Sequence, residues 1–303
     1  MNILSLFDGI SCGMVALQRA GVPVEKYYAY EIDKYPIWIS YKNYPEIIQR
    51  GDVTREDFSK YEDEIDLLIG GSPCQNFSFM GRQNGLVVKN ETITNLEKYL
   101  ELKHNGFEFS GQSYLFWEYV RALKQCKPKY FLLENVKMAK QWRDVITREL
   151  GVEPILINSN LVSAQNRERL YWTNIPNVTV PDDKGIKLSD VIDKVNRKRI
   201  PCSHYKWPQS VWGGKKKKDM IKNISVEKAG SLTTSQGRVE SFYIDREKDL
   251  LTIITADEAE RLQTLPQGYT ANCGASERQR YKAIGNGWTV DVIAHILKGL
   301  KKQ

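Results

Sequence analysis

The residues with the clearest chemical potential lie in the stretch 66–78, where the apolar run Leu67-Leu68-Ile69 gives way to Gly70-Gly71-Ser72-Pro73-Cys74-Gln75. A short apolar run without polar alternation reads as a buried parallel strand. In open α/β sheets the crevice beyond the carboxyl ends of the strands is the usual ligand site, so Cys74 is the candidate nucleophile. Free cysteine mostly packs as a small hydrophobe. Here two glycines that permit close approach and a proline that fixes φ describe a shaped turn instead. A second buried run, Tyr130-Phe131-Leu132-Leu133, ends in Glu134-Asn135-Val136. It delivers a carboxyl group to the same sheet edge, desolvated and able to share a proton with a bound base. In Gln165-Asn166-Arg167-Glu168-Arg169 the two arginines alternate, so on an extended segment both face one side.

These groups need elements to position them. Ile3 to Phe7 read as a first strand, followed by Asp8-Gly9-Ile10-Ser11-Cys12-Gly13 and an amphipathic helix that stops at Gly21. Strand, glycine turn and helix start make an anion or nucleotide cradle, although the strict dinucleotide fingerprint is not met. A second strand, Tyr27–Tyr30, ends in Glu31-Ile32-Asp33, where an acidic residue about 20 positions after such a turn usually bonds a ribose hydroxyl. Gly51-Asp52-Val53 forms a turn that could close over an adenine ring. Beyond Cys74, Phe79 to Gly85 is glycine-hinged and basic, which suits a lid. An inserted helix is expected over 91–103, then a stronger one from Ser113 to before Pro128. Another helix (145–150) and a strand (155–158) follow. Residues 181–245 carry the run Lys215–Lys218 with Tyr205, Trp207 and Trp212, a mixture that suits a nucleic-acid groove. Order returns at 250–255. Next come a capped helix at 257–263, the segment Ala283-Ile284-Gly285-Asn286-Gly287-Trp288, and an apolar helix at 290–297.

With 303 residues, 41% hydrophobic and 27% charged, the chain has the composition of a globular protein large enough for two lobes. The formal charge of +7 points to an anionic partner. Five cysteines, at 12, 74, 126, 202 and 273, are an odd number without paired spacing, and only three histidines accompany them. That argues against a disulfide framework or a zinc site, and no metal is expected. No run reaches the length of a membrane span and the start lacks a charged n-region, so a cytoplasmic location, in a bacterial or phage-infected cell, is the expectation.

Taken in order, Phe7-Asp8-Gly9 with Gly13, Glu31, Gly51-Asp52-Val53, Pro73-Cys74-Gln75, Glu134-Asn135-Val136, Gln165-x-Arg167-x-Arg169, Arg261-Leu262-Gln263 and Gly285-Asn286 resemble the DNA (cytosine-5)-methyltransferases. The resemblance spans nearly the whole chain. It looks like a compact bacterial or phage enzyme, with an opening and a Gly287-Trp288 similar to the animal de novo branch. It implies an α/β fold: a Rossmann-like S-adenosylmethionine-dependent methyltransferase sheet with a smaller target-recognition domain. The expected division is 1–180 catalytic, 181–280 target recognition, and 281–303 a C-terminal helix returning to the catalytic part.

For the cofactor, S-adenosylmethionine, the resemblance implies Phe7, Asp8, Gly9, Ile10 and Gly13 near the methionine part and Glu31 on the ribose. Ile32, Asp52 and Val53 would surround the adenine, with Pro73, Asn286 and Trp288 completing the pocket. Cys74 would attack carbon-6 of a cytosine flipped out of double-stranded DNA. Glu134 would support N3, Arg169 the O2 carbonyl, and Arg167 the site and a nearby phosphate. DNA contacts are expected from Gln75, Ser78, Arg82 and Gln83 in the loop and from Gln236 and Arg238 in the recognition segment, through arginine–guanine or glutamine–adenine bonds. Ser11-Cys12-Gly13 stands where many relatives carry Gly-Gly, and Ala283 stands where glutamine is frequent. The alternatives are a tRNA cytosine-5 methyltransferase and a catalytically silent DNA-binding accessory protein. A monomer is compatible with the sequence, which does not fix the oligomeric state.

Overall fold

The structure is a computed structural model, which describes residues 1–73, 86–88, 91–193, 200–201, 227–235, 242–245 and 250–301. Cys74, Gln75, Ser78, Arg82, Gln83, Gln236 and Arg238 lie outside these residues, as does the 215–218 lysine run.

The first half alternates strand and helix: β1 (Asn2–Leu6), α1 (Cys12–Ala20), β2 (Lys26–Tyr30), α2 (Lys34–Asn43), β3 (Ile48–Gln49) and β4 (Leu67–Gly71). A hairpin of β5 (Val87–Val88) and β6 (Glu91–Thr92) leads to α3 (Leu96–His104), α4 (Leu115–Cys126), β7 (Tyr130–Val136), α5 (Lys140–Leu150), β8 (Ile155–Asn158) and β9 (Glu168–Thr173). The central sheet has the order β3-β2-β1-β4-β7-β9-β8. Its strands run parallel from β3 to β7, and β9 is antiparallel to both of its neighbours. The chain winds outward from β1 through β2 to β3 and then returns to place β4 on the other side of β1. The ends of β1 and β4 therefore flank the switch point where open sheets bind ligands.

Both faces of the sheet are covered, which is why its strands read as unbroken apolar runs. Ile3, Tyr27, Ala29, Leu67, Ile69, Tyr130 and Leu132 join one apolar cluster, with α1. Leu4, Leu6, Tyr28, Tyr30, Leu68, Phe131 and Leu133 join the other, with α4 and α5. The alternation follows the two-residue period of a strand, so a one-residue slip in register would exchange the two faces.

The second half adds α6 (Leu188–Val191) and a small antiparallel sheet of β10 (Ile200–Pro201), β12 (Leu250–Ile253) and β11 (Phe242–Asp245), with β12 central. Helices α7 (Ala256–Leu262), α8 (Glu277–Asn286) and α9 (Val290–Leu297) close the chain. Ala256, Ala259, Leu262, Leu265 and Tyr269 are buried in the same cluster as α1 and α9. Leu188, Ala229, Leu232, Tyr243 and Ile254 belong to that cluster too.

The insertion also differs from expectation. A helix was expected from 91, but Glu91 and Thr92 pair with Val88 and Val87, and α3 starts only after Asn95, whose side chain accepts from the Lys98 amide. An asparagine that can cap competes well with continuing the helix upstream. Tyr99 and Lys103 of α3 reach the carboxylate of Glu118 on α4, which is fully buried. Arg121 bonds the same carboxylate at 2.7 Å and also donates to the carbonyls of Val53 and Glu56. Lys103 donates to that of Thr54 at 2.8 Å. One buried anion thus organises two cations that hold the backbone just beyond Asp52.

Glu118→Gln should leave Arg121 and Lys103 without their counter-charge and lower stability by about 3 kcal/mol. Urea unfolding followed by circular dichroism measures this, and an unchanged midpoint would refute it.

Candidate active site

The register of β4, β7 and β9 determines what meets at the sheet edge. Gly71 pairs with Glu134, Glu134 with Tyr171, and Val136 with Arg169. Glu134 therefore stands beside the strand end that leads through Ser72 and Pro73 toward Cys74. Its carboxylate is held from two sides: Arg169 Nε lies 2.9 Å from Oε1, and the indole Nε1 of Trp288 donates to Oε2 at 3.2 Å. Both acidic and basic side chains are mostly buried, so the pair interacts in a poorly screened environment. The next residue, Asn135, donates to Ser72 Oγ at 3.0 Å and to the Ser72 carbonyl, fixing the turn before Pro73. Nothing in the sequence alone distinguished that role from ordinary strand packing.

The two glycines of β4 serve close packing. At Gly71 a Cβ would lie 2.8 Å from Trp288 Nε1 and 3.1 Å from Glu134 Oε2; at Gly70 it would lie 2.9 Å from the ring of Tyr119. Gly13 is similarly crowded, with Ile69 Cδ1 at 2.5 Å and Trp288 Cζ3 at 3.6 Å from its added Cβ. Trp288 thus stands between the start of α1, the end of β4 and the carboxylate.

Arg167 and Arg169 both act on this side of the sheet, with different partners. The Arg167 guanidinium donates to the carbonyls of Leu232, Gly285 and Gly287 at 2.9, 3.2 and 3.1 Å. It is buried, and its guanidinium is engaged by backbone carbonyls. The Gly287 carbonyl also accepts from Gln263 Nε2 at 2.9 Å, and Gln263 Oε1 accepts from Thr289 at 2.8 Å. These bonds grip the peptide on either side of Trp288.

The turn after β1 is conformationally strained: Phe7, Gly9 and Ser11 all have φ between 57° and 60°. Strain of this kind is retained where the surroundings over-determine it. Asp8 supplies much of the determination, since Ser5 and Tyr27 donate to Oδ1 at 2.6 and 2.7 Å and Ser11 to Oδ2 at 2.5 Å. Desolvation outweighs these bonds and raises its carboxyl to about 6. Asp8, expected beside the cofactor, uses its side chain to brace the turn. Ile10, expected there too, is fully buried in the core, and its carbonyl accepts from Tyr269. Val53 is likewise a buried core residue.

The Glu31 carboxylate accepts from Gly9 N at 3.0 Å and from the amides of Ile32 and Asp33, so it lies against the glycine turn at the end of β2. Ile32, next to that carboxylate in the chain, is an apolar side chain 73% exposed. Asp52 caps the short turn at 53–55 through Thr54. Asn286 is exposed at the end of α8 and lines a cavity of about 610 Å³ with Asp33, Tyr35, Thr234 and Lys282. That cavity draws on α2 and α8, not on the strand ends. An exposed apolar side chain, a carboxylate at a strand end and a glycine cradle fit an adenosyl group, so the residues present suit the implied cofactor. Among the described cysteines, burial pushes Cys12 and Cys126 up to about 12, which leaves both thiols inert near neutral pH.

Sheet order and switch point together define a Rossmann-like α/β fold. The model of the C-5 cytosine-specific DNA methylase family matches residues 1–250 and 187–302, and the chain belongs to that family. It is 30% identical over 251 residues to the orphan methyltransferase M.SPRI of Bacillus phage SPR, covering 75% of this chain and 51% of that protein. It is 28% identical over 283 residues to M.Rho11sI of Bacillus phage rho11s, covering 84% and 50%. The chain thus spans about half the length of these relatives. Its fold is similar to that of a mutant DNMT2 from Spodoptera frugiperda, with a TM-score of 0.70, 18% identity and 99% coverage of both chains.

Gly71→Ala should push the indole and carboxylate apart and reduce methyl transfer at least tenfold while the chain still folds. Initial-rate assays with circular dichroism as the control test this, and wild-type rates would refute it. For Asp8 the folded carboxyl, near 6, lies above its ordinary value of 3.8. The folded state then holds a proton that the unfolded chain has released between those values. The stabilisation is complete below about pH 4 and is lost as pH rises through 6, a change on the order of 3 kcal/mol. Asp8→Asn should flatten this part of the stability profile, measured by urea unfolding of the ligand-free chain at successive pH values. A profile parallel to wild type would contradict the assignment.

Proposed function

We propose that the chain is a DNA (cytosine-5)-methyltransferase acting on a cytosine flipped from duplex DNA. The observation that carries this reading is the Glu134–Arg169 pair, brought by strand register beside the end of β4, which Ser72 and Pro73 follow in the chain. Carbon-5 of cytosine is a poor nucleophile until a group adds at carbon-6. The Cys74 thiolate makes that bond, and Glu134 shares a proton at N3 so that the electron pair is accommodated in the ring. Arg169, on the other side of the same carboxylate, donates to the O2 carbonyl and stabilises the charge that develops there. Once carbon-5 has taken the methyl group, its proton passes to water, the C5–H electrons form the C5–C6 double bond, and Cys74 leaves as the thiolate, which restores the aromatic ring.

Bound S-adenosylmethionine would supply the electrophilic methyl group and leave as S-adenosylhomocysteine. Glu31, Ile32, the Phe7–Gly13 backbone, Pro73, Asn286 and Trp288 would hold it, with Asp52 beside the adenine. Extruding the base costs a few kcal/mol, offset by contacts in the pocket and by groups entering the gap in the duplex. Gln75, Ser78, Arg82 and Gln83 are assigned to that gap, and Gln236 and Arg238 to reading the flanking bases.

Incubation of the chain with tritiated S-adenosylmethionine should label cytosine in duplex DNA and not in tRNA. Cys74→Ser should reduce labelling by more than about a thousandfold, as loss of a covalent nucleophile does. Labelling of tRNA alone would replace the substrate assignment, and full activity of the Cys74 variant would refute the mechanism.

A further inference from the structure

The family reading makes Trp288 part of a cofactor wall, but the geometry gives it a second task. Its indole N–H donates to Glu134 Oε2 at 3.2 Å, while Arg169 occupies Oε1 at 2.9 Å. A carboxylate held at one oxygen can still rotate about its terminal torsion, which is broad. Donors on both oxygens fix the plane of the group and the directions of its remaining lone pairs. The donor is itself immobilised, because the peptide before it is gripped by Arg167 and Gln263 at the Gly287 carbonyl, and Thr289 after it bonds Gln263 and Ser159. The other edge of the ring meets Gly13 at the start of α1, on the side assigned to the methyl donor.

We infer that Trp288 is a positioning residue for the reaction: its N–H sets the orientation of the Glu134 carboxylate, so one side chain fixes the proton-sharing group relative to the methyl donor. This deepens the methyltransferase reading and rests on it for its kinetic consequence. The hydrogen bond itself can be examined without turnover.

Trp288→Phe keeps an aromatic ring in the wall and removes only the donor. Because a hydrogen bond to a charged group is lost, kcat should fall about tenfold or more, with the KM for S-adenosylmethionine changed less than about threefold. In a Glu134→Ala background the same substitution should add less than about threefold, since two residues acting through one contact are not additive. Trp288→His, which retains an N–H on a smaller ring, should recover part of kcat. A wild-type kcat in Trp288→Phe, a loss confined to cofactor KM, or a full additional loss in the double variant would each overturn the inference.

Independently of substrate, the indole N–H resonance of Trp288 in a ¹⁵N-labelled chain, assigned by its disappearance in Trp288→Phe, should move upfield in Glu134→Ala. An unmoved resonance refutes the contact. If wild-type protein methylates no nucleic acid, the methyltransferase reading fails, while this resonance still decides whether Trp288 holds Glu134.

Discussion

The arrangement depends on holding one carboxylate, that of Glu134, in a fixed orientation at the end of a buried strand. Withdrawing a carboxylate from water is costly unless its oxygens are met by donors. Arg169 supplies charge from the neighbouring antiparallel strand and Trp288 supplies a neutral donor from the far end of the chain. The adjacency of β4, β7 and β9 brings Gly71, the carboxylate and the guanidinium to one edge. Gly71 is the accommodation that permits it, because any side chain there would occupy the space of the indole.

Around this centre the protein uses buried polar groups as fasteners more than as reagents. Asp8 ties Ser5, Ser11 and Tyr27 into a strained turn. Arg167 and Gln263 hold the backbone around Gly287, and Gln165 accepts from the Leu232 amide, so the residues around Leu232 are fixed to those that carry Trp288. Glu118 gathers Tyr99, Lys103 and Arg121 and anchors the inserted helix to the loop beyond Asp52. Such networks stabilise only when every member is satisfied, and they specify one packing arrangement where an apolar core would tolerate several.

The inserted segment illustrates how local chemistry decides boundaries. Its apolar spacing suggests a single helix, yet residues 91–92 are held in a hairpin and Asn95 starts the helix four residues later. Likewise the basic, aromatic segment after 181 reads as a separate lobe. Its described base nevertheless shares the main core, through Leu188, Ala229, Leu232 and Tyr243, while β10, β11 and β12 form their own small sheet.

What the sequence by itself determined was the alternation of strands and helices, the identity of the buried strands, and the residues at their ends. Those features are local: an apolar run terminated by glycine or by a lone carboxylate announces a strand that delivers something to an edge. The alternation of Arg167 and Arg169 also announced a shared face. Only the tertiary structure decided which of the two arginines meets Glu134: Arg169, on β9 opposite Val136, reaches the carboxylate, while Arg167, just before that strand, bonds backbone carbonyls. It also decided that Asp8 and Ile10 brace the turn from within, and that Trp288, 154 residues from Glu134 in the chain, supplies the second donor. No local pattern encodes a contact of that separation; it exists because α8 and α9 fold back over the start of α1, and the shape of that packing is a property of the whole core.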